Sequence, residues 1–174
     1  MEKIITVKDN HHFIIRPIKS EDQVELQNAL LKLSSQSKTQ RFFAMKNSFT
    51  DEELQFLTNA DDYHHLAYVA IHVDSISEDL EGAGVIRAIR SEKNPEQAEI
   101  AMTIIDKYQA LGLGGRLLEL ISNRAQERGI LEFTGCLKRT NTPMLKLLTK
   151  FSTLETTSDT GAIIHFVAKL PFRA

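Results

Sequence analysis

The sequence has little cysteine, proline or aromatic content: one cysteine, four prolines and no tryptophan in 174 residues. The single cysteine, Cys136, rules out an internal disulfide and a cysteine-based metal cluster, and its place in an apolar segment predicts a small buried residue. No apolar run approaches the roughly 20 residues of a membrane span, and the charged N-terminal residues lack the apolar core of a signal peptide. We therefore expect a cytoplasmic protein without a membrane partner.

An excess of charge of one sign is also absent. The formal net charge is −2, from 21 Lys and Arg against 23 Asp and Glu, which argues against a nucleic-acid partner. The pairs His11-His12 and His64-His65 do not predict a metal site, because adjacent side chains on a strand point to opposite faces. The length and an apolar content of 42% fit one domain over residues 1–174, with no metal.

Hydrophobic spacing and turn residues predict a mixed α/β chain on one sheet. Ser20 is expected to cap the first helix, and Thr50 with Glu53 forms a capping box for a later one. An acidic loop, Asp74–Glu81, is expected to close a hairpin, and Gly129 to end the long helix in a left-handed conformation. Strands are predicted near 13–18, 66–73, 84–89, 97–105, 130–137 and 162–170, and the main helices near 21–33, 113–128 and 141–150.

The most informative pattern is a glycine-rich run, residues 108–116, between a predicted strand and a predicted helix. Such a turn directs backbone N–H groups and the positive end of the helix dipole at one point, which suits a diphosphate. A nucleotide P-loop is excluded because Arg116-Leu117 stands where Lys and Ser or Thr are required. A dinucleotide fingerprint is excluded because Leu117 replaces the last glycine and no βαβ half precedes the run.

The remaining pattern, Gln109-x-x-Gly112-x-Gly114, resembles the Q/R-x-x-G-x-G/A signature of the GCN5-related N-acetyltransferase (GNAT) family. Three other segments are similar to bacterial protein lysine acetyltransferases that modify acyl-CoA synthetases: 33–43, 98–101 and 141–145. The resemblance implies the GNAT acyl-CoA N-acyltransferase fold, an α/β (α+β) arrangement with a mostly antiparallel sheet of six to seven strands flanked by helices. Larger members carry a ligase-like or cyclic-nucleotide-binding module, and here we expect the domain to stand alone.

The same resemblance implies acetyl-CoA as co-substrate and assigns its contacts. The pantetheine arm would pair with backbone around Thr103 and Ile104. Asn141 would contact a pantetheine amide as well as cap its helix, although a role as a cap alone stays open. Each glycine of the loop is expected to allow a close backbone approach to the ligand. The diphosphate would bind the loop residues Gln109, Ala110, Leu111, Gly112, Leu113, Gly114 and Gly115.

Acetyl transfer to an amine also requires a base, because a lysine amine with a pKa of about 10.4 is almost wholly protonated at pH 7. We predict that Glu99 is this general base, in direct attack of the amine on the thioester. The alternative is that Glu99 faces solvent or pairs with Arg87 or Arg90 on the neighbouring strand. The tyrosine that protonates the leaving thiolate in many relatives has no counterpart beyond Asn141.

We therefore predict an acetyl-CoA-dependent N-acetyltransferase, with a protein lysine as the favoured acceptor amine. A small-molecule amine acetyltransferase and a non-catalytic acyl-CoA-binding regulatory module are the alternatives. The expected assembly is a monomer or a homodimer.

Overall fold

A computed structural model describes residues 2–73 and 80–170 of the chain. Its strands form one sheet in the spatial order first to sixth, then eighth, then seventh, and every neighbouring pair is antiparallel except the fifth and sixth. The strands are β1 Lys3–Thr6, β2 His12–Pro17, β3 His65–Val73, β4 Leu80–Arg90, β5 Gln97–Ile104, β6 Glu132–Lys138, β7 Leu154–Asp159 and β8 Ile163–Lys169. The mixed, mostly antiparallel sheet predicted from the sequence is confirmed, with eight strands rather than six or seven.

Helices cover both faces of this sheet. The α-helices of the described ranges are α1 Gln23–Lys32, α2 Ser35–Phe42, α3 Asp51–Thr58, α4 Leu113–Glu127 and α5 Thr142–Phe151. The long helix α4 packs its fully buried Leu117, Leu118 and Ile121 against β3 and β4. Helices α1 and α2 contact β4 and β5 from the opposite face. None of the helices described is long and apolar enough to cross a membrane.

Two of the predicted helix ends are confirmed here, at Thr50 and at Gly129, and one, at Ser20, is wrong. Thr50 and Glu53 form the reciprocal capping box, with N···O distances of 3.2 and 2.9 Å, and Gly129 takes a φ of 78° just beyond α4. Ser20 does not cap α1, which begins at Gln23 after a 3₁₀ turn. The reason is Asp22, whose carboxylate accepts hydrogen bonds from the Lys19 N–H and from two N–H groups of Arg16. These bonds hold residues 20–22 in the 3₁₀ turn, so the α-helix begins only after it.

The hairpin between β3 and β4 is confirmed by their antiparallel register. Residues 74–79 of the predicted acidic loop lie outside the described residues. The two strands that the sequence did not predict, β1 and β7, are the edges of the sheet. An edge strand needs no strong apolar pattern, and here Ile4 of β1 is 70% exposed while the 155–158 segment of β7 is polar and exposed.

A buried histidine lies at the start of β3. The ring of His65 is stacked on Phe56, with 5.2 Å between ring centroids, and its Nε2 atom accepts a hydrogen bond from Arg87 Nη1 at 3.1 Å. Burial, and then the charge of Arg87, lower the pKa of His65 to about 4. His65 is therefore neutral in the folded protein at neutral pH. Its proton is assigned to Nδ1, because the Arg87 guanidinium can only donate and Nε2 must accept.

We expect this histidine to make the protein sensitive to mild acid. In the unfolded chain it takes up a proton near pH 6.5, whereas in the folded chain it does so near pH 4, so its contribution to stability falls as the pH drops through that range. Substitution His65→Gln keeps an acceptor for Arg87 but does not titrate. Urea unfolding at pH 7.5, 6.0 and 4.5 should show a smaller loss of unfolding free energy in the variant. An identical loss in both proteins would contradict the assignment.

Candidate active site

The central feature of the site is a gap between two parallel strands. Strands β5 and β6 pair over only three residues each, 97–99 with 132–134, and then separate although both continue. Because the polar groups of a strand alternate in direction, half of the N–H and C=O groups of 100–104 face this gap. The gap widens into a groove of about 680 Å³ between the fifth and sixth strands, α2 and α5.

A loop with unpaired amides closes one end of the groove. Within the described part of the chain, the backbone N–H groups of residues 110–115 have no hydrogen-bond partner. Two left-handed residues turn these amides, Ala110 at a φ of 61° and Gly112 at 95°, and α4 begins at the next residue. The amides and the positive end of the α4 dipole therefore face the groove together. This arrangement can hold an anion such as a diphosphate.

The glycines of the loop have different structural reasons. A Cβ at position 112 would have no other atom within 4 Å, so space is not what requires a glycine there. The positive φ favours it. A Cβ on Gly114 would lie 3.2 Å from Leu147, and one on Gly115 would lie 3.3 Å from Phe151. Both contacts are with α5, so these two glycines allow a close approach of the two helices, and the close approach of the ligand to the loop stays a prediction. The glycines thus bring α5 up against the start of α4.

Gln109 anchors the loop to the preceding strand. Its Nε2 atom donates to the Ile104 carbonyl at 2.9 Å and lies 3.3 Å from Ser37 Oγ. The predicted residues Thr103 and Ile104 both line the groove, on the strand that borders the gap. The side chain of Gln109 therefore holds the loop in place, and the unpaired N–H groups are those of the next six residues, 110–115.

A carboxylate that the sequence analysis missed ties this loop to α2. Asp106 accepts hydrogen bonds from the backbone N–H and the hydroxyl of Ser34, at 3.0 and 2.6 Å, and from the hydroxyl of Ser37 at 2.9 Å. Burial on its own would raise the pKa of Asp106, but these hydrogen bonds outweigh it and hold that pKa below its usual value. The two serines belong to the 33–43 segment singled out in the sequence, and only the fold brings them to Asp106.

Removing this carboxylate charge should loosen the attachment of α2. For Asp106→Asn we expect an unfolding free energy lower by about 1–2 kcal/mol at pH 7, since hydrogen bonds to a charged group contribute about that much when partly exposed. The pKa is lowered in the folded state, so the stabilisation is present above the unfolded pKa of about 3.9 and is lost as the pH falls through the folded value. Denaturant unfolding at pH 7 and pH 3.5 measures it. The exposed Glu92, changed to Gln, is the control and should differ little from wild type.

Glu99 lies on the wall of the groove and is exposed. It is the only carboxylate among the described residues that line the groove. Neither predicted ion-pair partner contacts it: Arg87 donates to Leu57 O and His65, and Arg90 donates to main-chain carbonyls. The carboxylate is therefore open to the groove and to solvent at once.

Two other groups lie within electrostatic range of Glu99. Arg41 of α2 is half-buried, and burial lowers its pKa while the Glu99 charge acts in the opposite direction. Cys136 of β6 is exposed, which corrects the expectation of a buried residue. Burial of part of its side chain, and then the charge of Glu99, raise the pKa of the Cys136 thiol. A raised thiol pKa disfavours the thiolate, and so a nucleophilic role for this cysteine.

Asn141 caps α5, as predicted. Its side-chain oxygen accepts the Met144 N–H at 3.2 Å, and the residue also lines the groove. No described residue accepts a hydrogen bond from its side-chain amide. A contact with a ligand amide therefore stays a prediction beside the confirmed cap.

The chain is similar in sequence to two bacterial acetyltransferases. No family model matches the chain. The chain is 24% identical over 162 residues to Acetyltransferase Pat of Mycolicibacterium smegmatis, covering 92% of this chain and 46% of that protein. It is 30% identical over 126 residues to Acetyltransferase PA5475 of Pseudomonas aeruginosa, covering 71% of this chain and 65% of that protein. The chain thus spans less than two thirds of the length of either relative.

A solved structure shows the fold. The crystal structure of the GNAT domain of S. lividans PAT superposes with a TM-score of 0.85 at 24% identity, and the match covers 97% of each chain. A cAMP-binding acyltransferase from Mycobacterium smegmatis matches with a TM-score of 0.67 at 19% identity, over 98% of this chain and 48% of that one. The fold implied by the loop motif is thereby confirmed.

Proposed function

We propose that the chain, which has the fold of the GNAT domain of S. lividans PAT, is an acetyl-CoA-dependent N-acetyltransferase that acetylates a primary amine. The observation that carries the proposal is the gap between β5 and β6, which ends at the unpaired amides of 110–115. An extended arm bearing amides fits along an unpaired strand edge, and a diphosphate fits a helix N-terminus with free N–H groups. One groove offers both, in the order in which they follow each other in coenzyme A.

The residues that would hold acetyl-CoA are those predicted from the sequence. The backbone at Thr103 and Ile104 would bind the pantetheine arm, and the amide of Asn141 would bind one of its carbonyls. The N–H groups of 110–115 would bind the diphosphate, and Gln109 would keep the loop in place. Acetyl-CoA supplies a thioester, whose carbonyl carbon is the group attacked.

We assign the proton transfer to Glu99. The acceptor amine must lose a proton before its nitrogen can attack, and the Glu99 carboxylate accepts that proton directly or through one water. The new C–N bond then forms, the C–S bond breaks, and the thiolate takes a proton from solvent. The exposure of Glu99 supports this role through access, because both the amine and water can reach the carboxylate.

A protein lysine is the favoured acceptor. The segment that resembles protein lysine acetyltransferases, 33–43, forms α2 and its surroundings, and Gln40, Arg41 and Phe43 line the groove on the side of Glu99. The segment that resembles protein lysine acetyltransferases therefore forms the wall of the groove beside Glu99, where an acceptor lysine would enter.

Binding and thiol release test the proposal. Coenzyme A should raise the melting temperature, and purified protein with acetyl-CoA should release free thiol when a lysine-bearing acceptor is added. An acyl-CoA synthetase, polyamines and aminoglycosides form the acceptor panel. Thiol release with polyamines alone would favour the small-molecule alternative, and stabilisation without release by any amine would favour a non-catalytic module. No stabilisation at millimolar coenzyme A would overturn the proposal.

A further inference from the structure

A second cavity, of about 240 Å³, lies between the sheet and α1, α2 and α3. It adjoins the groove, with which it shares the lining residues Arg41 and Thr103. The walls are mostly apolar and include Leu26, Leu30, Leu33, Leu57, Val69 and Val85. Three arginines also line it: Arg16, which is paired with Asp22, and Arg41 and Arg87.

Arg87 is a buried cation without a carboxylate partner. The residue is 3% exposed, and one of its nitrogens donates to Leu57 O at 3.0 Å and to His65. Its other N–H groups have no hydrogen-bond partner among residues 2–73 and 80–170, and no carboxylate there lies within ion-pair distance of it. The acidic residues of the cavity are engaged elsewhere: Asp22 by Arg16 at 2.7 Å, and Glu25 by Asn28.

Arg41 adds a second positive charge at the same place. It too has no hydrogen bond or ion pair with any described residue. Burial, and then the charge of Arg41, lower the pKa of Arg87 to about 10. A buried guanidinium, Arg87, and a half-buried one, Arg41, that repel one another are unfavourable unless an anion offsets them. The apolar walls beside them favour an anion that carries a hydrocarbon group.

We propose that this cavity binds a small monocarboxylate with an apolar tail, its carboxylate on Arg87 and Arg41 and its tail against α1. A carboxylate matches the planar donor pattern of a guanidinium. One negative charge suffices, because Glu99 already offsets part of the Arg41 charge. This site is distinct from the acetyl-CoA groove, and its occupant is a second ligand beside the acetyl donor.

The test uses hexanoate and phenylacetate, with hexanamide and phenylacetamide as neutral partners of the same shape. In thermal-shift and calorimetric titrations of the whole protein, we expect each acid to bind at least about ten-fold more tightly than its amide. The shift should add to that of coenzyme A, since the two sites differ. Equal binding of acid and amide, or competition of the acid with coenzyme A, would overturn the proposal.

Three variants locate the site. Arg87→Met should abolish acid binding, and Ala29→Phe should do so by filling the cavity while both arginines remain. Leu31→Phe is the matched control, because Leu31 lies on the same helix and is 60% exposed. If Arg87→Met does not fold, Ala29→Phe decides. Acid binding retained in Ala29→Phe would exclude this cavity, whereas the coenzyme A shift in the same samples reports on the groove independently.

Discussion

Glu99→Gln should lower kcat for amine acetylation by about a hundredfold or more and leave the Kd for coenzyme A unchanged. The amide has nearly the shape of the carboxylate but cannot accept a proton, and general-base catalysis contributes about 10²–10⁴-fold. Glu99 is the only carboxylate among the described residues lining the groove, so no neighbour can replace it. Thiol release under saturating acetyl-CoA measures kcat, and calorimetry measures the Kd.

The matched control is Glu96→Gln, the same change three residues earlier. Glu96 is exposed and does not line the groove, so its variant should behave as wild type. A base also predicts that the deficit of Glu99→Gln shrinks as the pH approaches the pKa of the acceptor amine, because the amine then loses its proton without help. Wild-type turnover in Glu99→Gln, or a deficit independent of pH, would refute the role of base.

The main helices, the inner strands and the loop could be predicted because their determinants are local, whereas the fold that joins them was implied by the family resemblance. Glycines, capping residues and apolar spacing act within a few positions, and they correctly gave the start of α4 at Leu113 and the Asn141 cap of α5. The edge strands β1 and β7 could not be predicted in this way, since an edge strand is specified by the neighbour with which it pairs.

The electrostatics of the site could not be predicted either, because they depend on residues far apart in the chain. Asp106 meets Ser34 across 72 positions, and Arg41 approaches Glu99 only because α2 lies over β5. Neighbouring strands also allow the alternative, a pairing of Glu99 with Arg87. It fails because Arg87 turns instead to Leu57 and His65.

The second large effect is expected at Gly112. A valine there must adopt a φ near 95° or move the loop, and left-handed backbone costs an L-residue about 1–2 kcal/mol. Relief of that strain rotates the adjoining peptide groups, whose N–H groups are two of the six unpaired ones. Each charge-assisted hydrogen bond to a diphosphate contributes about 1.5–3 kcal/mol, so Gly112→Val should raise the Kd for coenzyme A at least about ten-fold.

Gly129→Val at the other end of α4 separates binding from stability. Gly129 also has a positive φ, 78°, and a Cβ there would likewise meet no atom within 4 Å. Gly112→Val and Gly129→Val should therefore lose a similar amount of unfolding free energy. Only Gly112→Val should weaken coenzyme A, because Gly129 lies a whole helix of 15 residues away from the loop. Calorimetric titration of both variants, at a temperature where each is folded, makes the comparison. Equal affinity in the two would show that the loop amides do not hold the diphosphate.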